Sequence, residues 1–168
     1  MGLNILPLGK VERWLLEEVS RCVREKFNLD SEILTPMELP EDALDRLRNQ
    51  YNSTLLIHIL SQKFKSRTLA ITSADLYAEA LNFVFGQAQL NGKIAIVSIK
   101  RLNPSFYGKA DDELLRERVR KEIVHELGHM FGLQHCKNKC VMNFSSSVFE
   151  VDQKPEEFCE ECRKRLKI

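Results

Sequence analysis

An α/β fold is predicted for this chain: a twisted, mixed and mostly parallel sheet with one antiparallel edge strand, a long helix bearing the functional groups, and a small C-terminal part held by a staple. Three observations predict it. Short apolar runs alternate with amphipathic helical stretches through the first half of the 168 residues, the pattern of a parallel sheet covered by helices. Two later runs meet across Asn91-Gly92, a hairpin signal that sets an antiparallel strand at one side. The segment from 133 to 168 carries four of the five cysteines and is too small to build a core without a cross-link or a metal.

The elements follow in order. Leu3 to Leu8 is apolar and ends at Gly9, which predicts the first strand. From Val11 to Phe27 the residues Trp14, Leu15, Val19, Cys22 and Val23 recur at helical spacing between charges; this predicts a helix covering the sheet, with Cys22 in its buried stripe. Ile33 and Leu34 mark a second strand, after which Pro36 and Pro40 punctuate a loop. Glu41 to Gln50 is charged and carries no clear pattern. Ser53 to Phe64 predicts a helix capped by Asn52 or Ser53, although Leu55 to Leu60 also fits a buried strand. His58, inside that run, reads as a core or rim residue rather than a ligand. Thr68 to Thr72 predicts the third strand, with Asp75 and Tyr77 in its loop. Phe83 to Ala88 and Ile94 to Ile99 form the hairpin. An edge strand has unpaired backbone groups that an extended peptide can use, and Val84 to Ala88 is the segment expected to line a cleft.

Asp111 or Asp112 starts the long helix, with Glu113 in its first turn. Leu115, Val119, Ile123, Leu127 and Met130 make an apolar stripe, and His125 and His129 lie beside it in line with Arg118 and Glu122. Arg118 and Glu122 are four apart, which predicts a solvated surface pair.

The chemistry concentrates in that helix and its sequel. Three of the four histidines lie between positions 125 and 135, in the string His125-Glu126-Leu127-Gly128-His129-Met130-Phe131-Gly132-Leu133-Gln134-His135. Residues four apart stack on one side of a helix, so His125 and His129 present two imidazoles to one ion. Glu126 is rotated about 100° from His125 and flanks that ion, as suits a carboxylate that takes a proton from a metal-bound water. Gly132 supplies a turn that returns His135 as third ligand. Three protein ligands leave the fourth position of tetrahedral zinc open, the arrangement of a catalytic site. Directly after it, Cys136, Cys140, Cys159 and Cys162 form two close pairs, the spacing of a closed four-cysteine zinc site, with disulfides as the weaker alternative. Two zinc ions per chain are therefore expected, one catalytic and one structural.

Composition narrows the function further. Lys and Arg number 25 against 24 acidic residues, a balance that argues against nucleic acid or an anionic membrane as partner. No apolar run is long enough to cross a bilayer, and Met1 to Lys10 lacks the basic and apolar regions of a secretory signal. The expectation is a cytoplasmic monomer, one domain over residues 1–168, divided into an α/β part (1–132) and a lower cysteine-rich part (133–168).

The string His125 to Cys136, followed by Cys140-Val141-Met142 and Cys159-Glu160-Glu161-Cys162, with Asn82 to Gln89 upstream, resembles the archaemetzincins, a branch of the metzincin peptidases. The resemblance spans about Asn82 to Cys162. It implies a metzincin-like (zincin) fold, catalytic zinc on His125, His129 and His135, Glu126 as general base and proton shuttle, and a second zinc on Cys136, Cys140, Cys159 and Cys162. It also makes Met142 the methionine of the turn beneath the histidines. Phe144 stands where some metzincins have a zinc-reaching tyrosine, and phenylalanine cannot ligate.

The leading reading is zinc-dependent hydrolysis of a peptide or protein substrate, as an endopeptidase or an aminopeptidase. One alternative is a metal-stabilised peptide-binding protein with little or no peptidase activity, against which the intact Glu126 argues. Another is a zinc hydrolase acting on something other than peptides; the neutral charge balance offers such an enzyme no phosphate-binding surface.

Overall fold

Alternation decides which way each strand faces, and here it works on both sides of one sheet. The computed structural model describes residues 2–166. Strands β1 (Gly2–Leu8), β2 (Asp30–Ile33), β5 (Thr68–Thr72), β7 (Gly86–Ala88) and β8 (Ile94–Ser98) form a five-stranded sheet in the order β2-β1-β5-β8-β7. The first four run parallel; β7 pairs antiparallel with β8 at the edge. Leu3, Ile5, Leu69, Ile71, Ala95 and Val97 point to one face and Leu6, Leu8, Ala70, Ile94 and Ile96 to the other, the period-2 alternation of a sheet covered on both sides. Helices α1 (Arg13–Phe27) and α3 (Asp112–Met130) cover the first face, and α2 (Ser53–Lys63) covers the second. A smaller sheet of β3 (Leu44–Asp45), β4 (Gln50–Asn52) and β6 (Leu76–Tyr77) lies in the order β3-β4-β6. Two short helices, α4 (Val148–Gln153) and α5 (Glu160–Arg165), close the chain.

The predicted mixed sheet and antiparallel edge strand are present. Asn52 caps α2 through its side chain, so the helical reading of Leu55 to Leu60 holds over the strand. Asp111 caps α3 in the same way. The edge strand is shorter than its apolar run: Val84 leaves the main sheet, donating its N–H to the Leu76 carbonyl at 2.9 Å. The segment from 41 to 50 holds a turn of 3-10 helix and the β3-β4 hairpin. His58 is exposed, on the rim rather than in the core, and Cys22 is fully buried in the α1 stripe. No described helix is long and apolar enough to cross a membrane.

Polar contacts fasten α3 where its charges meet other elements. Arg118 and Glu122 do not form the solvated pair predicted from their spacing. Both are buried, at 7% and 3% exposure, and each takes a partner from the α4 segment. Arg118 holds Asp152 through two hydrogen bonds of 2.9 and 2.8 Å, and the Lys154 ammonium lies 2.8 Å from Glu122 Oε2. Local spacing misled because the opposite charges arrive from distant sequence. On the other side of α3, Arg120 donates to Glu18, Glu25 and Glu156, tying α1, α3 and the approach to α5 together.

The Arg120 network has a stability consequence. Burial opposes ionisation of Glu18, but hydrogen bonds from Arg21 and Arg120 outweigh it and hold the carboxyl below its ordinary value. Glu156 is depressed likewise, burial being outweighed by Arg120 and Lys26. Stabilisation from groups of this kind is complete above the unfolded pKa of about 4.3 and is lost as pH falls through the folded values. Replacing Arg120 by Met leaves Glu18 buried without this partner and should cost about 3 kcal/mol in denaturant unfolding near neutral pH. Between about pH 5 and pH 2 the wild type should lose more stability than Arg120→Met; equal losses would contradict the assignment.

Candidate metal centre and cleft

Helix α3 carries two of the three imidazoles, and its C-terminal turn delivers the third. Gly132 N–H donates to the His129 carbonyl at 3.0 Å and Leu133 N–H to the Gly128 carbonyl at 2.9 Å, the paired bonds of a Schellman ending. Gly132 has φ +101°, a conformation that side chains with a Cβ resist. The reversal brings His135 back beside the helix. Ring centroids lie 4.8 Å apart for His125 and His129, 5.4 Å for His125 and His135, and 4.9 Å for His129 and His135. One ring nitrogen from each of the three lies within 4.8 Å of the others.

Main-chain carbonyls fix two of these rings. His125 Nδ1 is 2.9 Å from the Val141 carbonyl oxygen and His129 Nδ1 is 2.7 Å from that of Leu133. A carbonyl only accepts, so each Nδ1 is the N–H that donates, and each Nε2 keeps a lone pair. Burial disfavours the imidazolium at all three positions and pulls their pKa values down, which keeps them in the neutral form a metal needs. The donor set therefore fits a borderline-soft cation such as zinc.

Glu126 is buried at 4% exposure. Burial raises its pKa well above the usual carboxylate range, and the neighbouring Glu122 charge adds to this. The carboxylate fits against the edge strand because residue 86 is glycine: a Cβ there would lie 2.9 Å from Glu126 Oε2 and 2.6 Å from the Ile96 carbonyl. Another close approach sits beneath the histidines. A Cβ on Gly128 would lie 2.5 Å from Met142 Sδ, so the methionine sulfur packs directly on the helix between His125 and His129. Met142 is fully buried, the floor that the resemblance implied.

An open cleft of about 950 Å³ runs past Glu126 and the three histidines. Val84 to Ala88 line it as expected. In the hairpin, Ser98 N–H donates to Phe85 O at 2.8 Å and Gln89 N–H to Ile94 O at 2.9 Å, with Gly86 opposite Val97 and Ala88 opposite Ala95. The alternation of an antiparallel ladder then turns the backbone groups of Gly86 and Ala88 away from β8. Leu81 and Leu90 are exposed along the cleft. Phe144 is half exposed with its ring 5.4 Å from that of His135, a wall of the cleft beside the third imidazole. Arg48 and Gln50 hold the lip at 81–82 through its carbonyls.

The four cysteines after His135 converge as well. One sulfur from each of Cys136, Cys140, Cys159 and Cys162 lies within 4.8 Å of the others, and all four are free thiols, against the disulfide alternative. Backbone N–H groups of Asn138, Met142 and Cys159 point at sulfurs of Cys136 and Cys140, at 3.3 to 3.4 Å. Cys159 is drawn down to about 6 by the Asn138 amide and the Cys162 backbone, favouring a thiolate, while burial pushes the Cys140 and Cys162 thiols up. This cluster grips the same segment that orients His125, since Cys136 N–H donates to Met142 O at 3.0 Å and Asn143 Nδ2 to Cys136 O at 2.7 Å.

Sequence reasoning did not reach Gly86, the Val141 and Leu133 carbonyls, or the Glu122 and Lys154 pair. Of these only Glu122 left a signal, its four-residue offset from Glu126 on one helix face.

Known proteins resemble this chain along nearly its whole length. Residues 5–168 match the family model described as Peptidase family M54. The chain is 42% identical over 168 residues to an archaemetzincin of Methanocaldococcus jannaschii, covering 99% of this chain and 93% of that protein. It is 41% identical over 167 residues to one from Archaeoglobus fulgidus, 99% of each chain. A crystal structure of the Archaeoglobus fulgidus archaemetzincin complexed with malonate superposes with a TM-score of 0.89 at 40% identity, over 99% of this chain and 100% of that one. A zinc-dependent peptidase from Methanocorpusculum labreanum gives 0.84 at 32% identity, over 98% and 99%.

The packing at Gly128 makes a sharp prediction. Gly128→Ala drives a methyl group into Met142 and should cost about 1–3 kcal/mol in denaturant unfolding, although alanine favours helix over glycine. An unchanged or raised midpoint would show that the contact between helix and methionine is loose.

Proposed function

The chain belongs to peptidase family M54, the archaemetzincins, a family of zinc metallopeptidases, and from that premise we propose that it hydrolyses peptide bonds with His125, His129 and His135 as ligands of a catalytic zinc and Glu126 as general base. The observation that carries the reading is the orientation of His125 and His129 by two carbonyls, with the Glu126 carboxylate on the wall of the same cleft. Cys136, Cys140, Cys159 and Cys162 are the ligands of a second, structural zinc. The chain works as one catalytic unit, with the part before Gly132 supplying cleft and helix and the part after it supplying the third histidine and the staple.

Bound by three imidazoles with a position left open, zinc supplies a Lewis acid that lowers the pKa of water and polarises a carbonyl. The residues of the chain do the rest. An extended substrate lies along Gly86 and Ala88, using their outward N–H and C=O groups as an added strand. Leu81, Leu90 and Phe144 take apolar contacts from its side chains. Glu126 Oε2, held against Gly86, accepts a proton from the attacking water, and the same carboxyl then gives that proton to the nitrogen of the departing amine. Gly86 is thus a positioning residue for Glu126, since any side chain there would displace the carboxylate.

Glu126→Gln keeps the shape and removes the base. It should lower kcat/KM by about 10²- to 10⁴-fold while the zinc content measured by elemental analysis stays at the wild-type value; turnover equal to wild type would defeat the mechanism. The wild type should carry two equivalents of zinc. His129→Ala should carry one and keep most of its thermal stability, whereas Cys162→Ser should carry one and melt at markedly lower temperature. Equal melting of the two variants would remove the distinction between a catalytic and a structural metal.

A further inference from the structure

Glu122 is a carboxylate in the cleft wall that the mechanism does not use. It precedes His125 by three residues, Glu126 by four and His129 by seven, which sets all four on one side of α3, and it borders the cleft with them. It is 3% exposed. Its Oε2 accepts no directed hydrogen bond. What faces it is the Lys154 ammonium at 2.8 Å, its one cationic partner within 4.0 Å among the described residues. Lys154 is itself 5% exposed, and its Nζ also donates to the Asn143 carbonyl at 3.2 Å, one residue beyond Met142.

A buried carboxylate is stable only when a counter-charge compensates it. Oxygen from glutamate is also an ordinary zinc ligand, and a helix face that aims two imidazoles at one point carries Glu122 along the same face. With Lys154 gone, Glu122 has no cationic partner within 4.0 Å among the described residues, and the cation site it shares a cleft with is that of the three histidines. A lysine so close to a cation site is unfavourable for metal binding taken alone, and the Glu122 charge offsets it; as a pair the two leave the neighbourhood neutral.

We infer that Lys154 is a positioning residue that keeps Glu122 out of the coordination sphere of the three-histidine metal, so that Glu122 does not add as a fifth ligand beside the three imidazoles and water. The inference rests on the zinc-site reading proposed above. It assigns the end of α4, far from the catalytic string in sequence, a direct influence on how many ligands the metal takes. The Asn143 contact serves the same end, because it anchors the ammonium from below and leaves it pointing at Glu122.

The test uses the full chain with zinc in the four-cysteine site and cobalt(II) in the histidine site, with the His129→Ala spectrum subtracted as background. Four-coordinate cobalt absorbs visible light much more strongly than five-coordinate cobalt, so the band reports ligand number without any substrate. Lys154→Met and Lys154→Gln, the second keeping a donor for the Asn143 carbonyl, should both lose most of the band and at least about tenfold in kcat, the range typical of groups that orient metal ligands. Lys154→Met combined with Glu122→Gln removes both charges, which a folded interior tolerates, and should restore the band. Wild-type spectra in the lysine variants, as when Glu122 simply takes a proton, would overturn the inference, and so would a double variant no different from Lys154→Met. If the wild type cleaves no peptide the peptidase reading fails, yet the spectra still decide the role of Lys154. If His129→Ala leaves the band intact, the histidine metal site itself fails.

Discussion

Two main-chain carbonyls, those of Val141 and Leu133, determine which nitrogen of His125 and His129 is free, and the site depends on that choice. An imidazole that could donate from either nitrogen would present a lone pair to the centre only part of the time. A carbonyl at Nδ1 removes the ambiguity before any metal arrives. Neither carbonyl belongs to α3. Both come from the segment that follows it, so the helix supplies the rings and the returning chain supplies their orientation.

That dependence explains why so much of the structure is spent on holding the returning chain. The Schellman ending at Gly132 sets Leu133 under His129. The Met142 sulfur packs where Gly128 lacks a side chain, and the stretch from 136 to 143 is gripped by bonds among Cys136, Met142 and Asn143. Val141 N–H donates to the Glu157 carbonyl, while Arg118 and Glu122 bind the α4 segment to the flank of α3. The segment also shares the main core, in which Leu133, Cys140, Val141, Met142, Val151 and Cys162 are buried, and its four cysteines converge beside it. The hairpin is anchored to the same helix end, since Asn91 N–H donates to the His129 carbonyl at 2.9 Å, so the edge strand and the three histidines share a frame.

Much of this was legible before the structure. The strands β1, β5 and β8 read from their apolar runs because both faces of the sheet are covered, and the capping side chains of Asn52 and Asp111 marked where helices begin. The convergence of His125 and His129 was legible because a helix converts a four-residue spacing into a shared face, and that of His135 because Gly132 marks the turn that returns it. What the sequence hid was what depends on distance. A backbone carbonyl has no letter of its own, so Val141 and Leu133 gave no sign of their part. Gly86 reads as one more small residue in a strand until the carboxylate opposite it is seen. Arg118 and Glu122 looked like a local exposed pair, since nothing at i+4 reveals that Asp152 and Lys154 will arrive from a later helix and bury them. Edge strand β7 proved shorter than its apolar run, because Val84 turns its N–H to the Leu76 carbonyl and leaves the ladder at Phe85.

Nitrogen NMR of the metal-free protein with ¹⁵N-labelled histidine measures directly where the proton sits on the His125 and His129 rings. Each should hold the proton on Nδ1, with Nε2 shifts of an unprotonated nitrogen and Nδ1 protons protected from exchange with water. Rings that average between tautomers, or that carry the proton on Nε2, would contradict it.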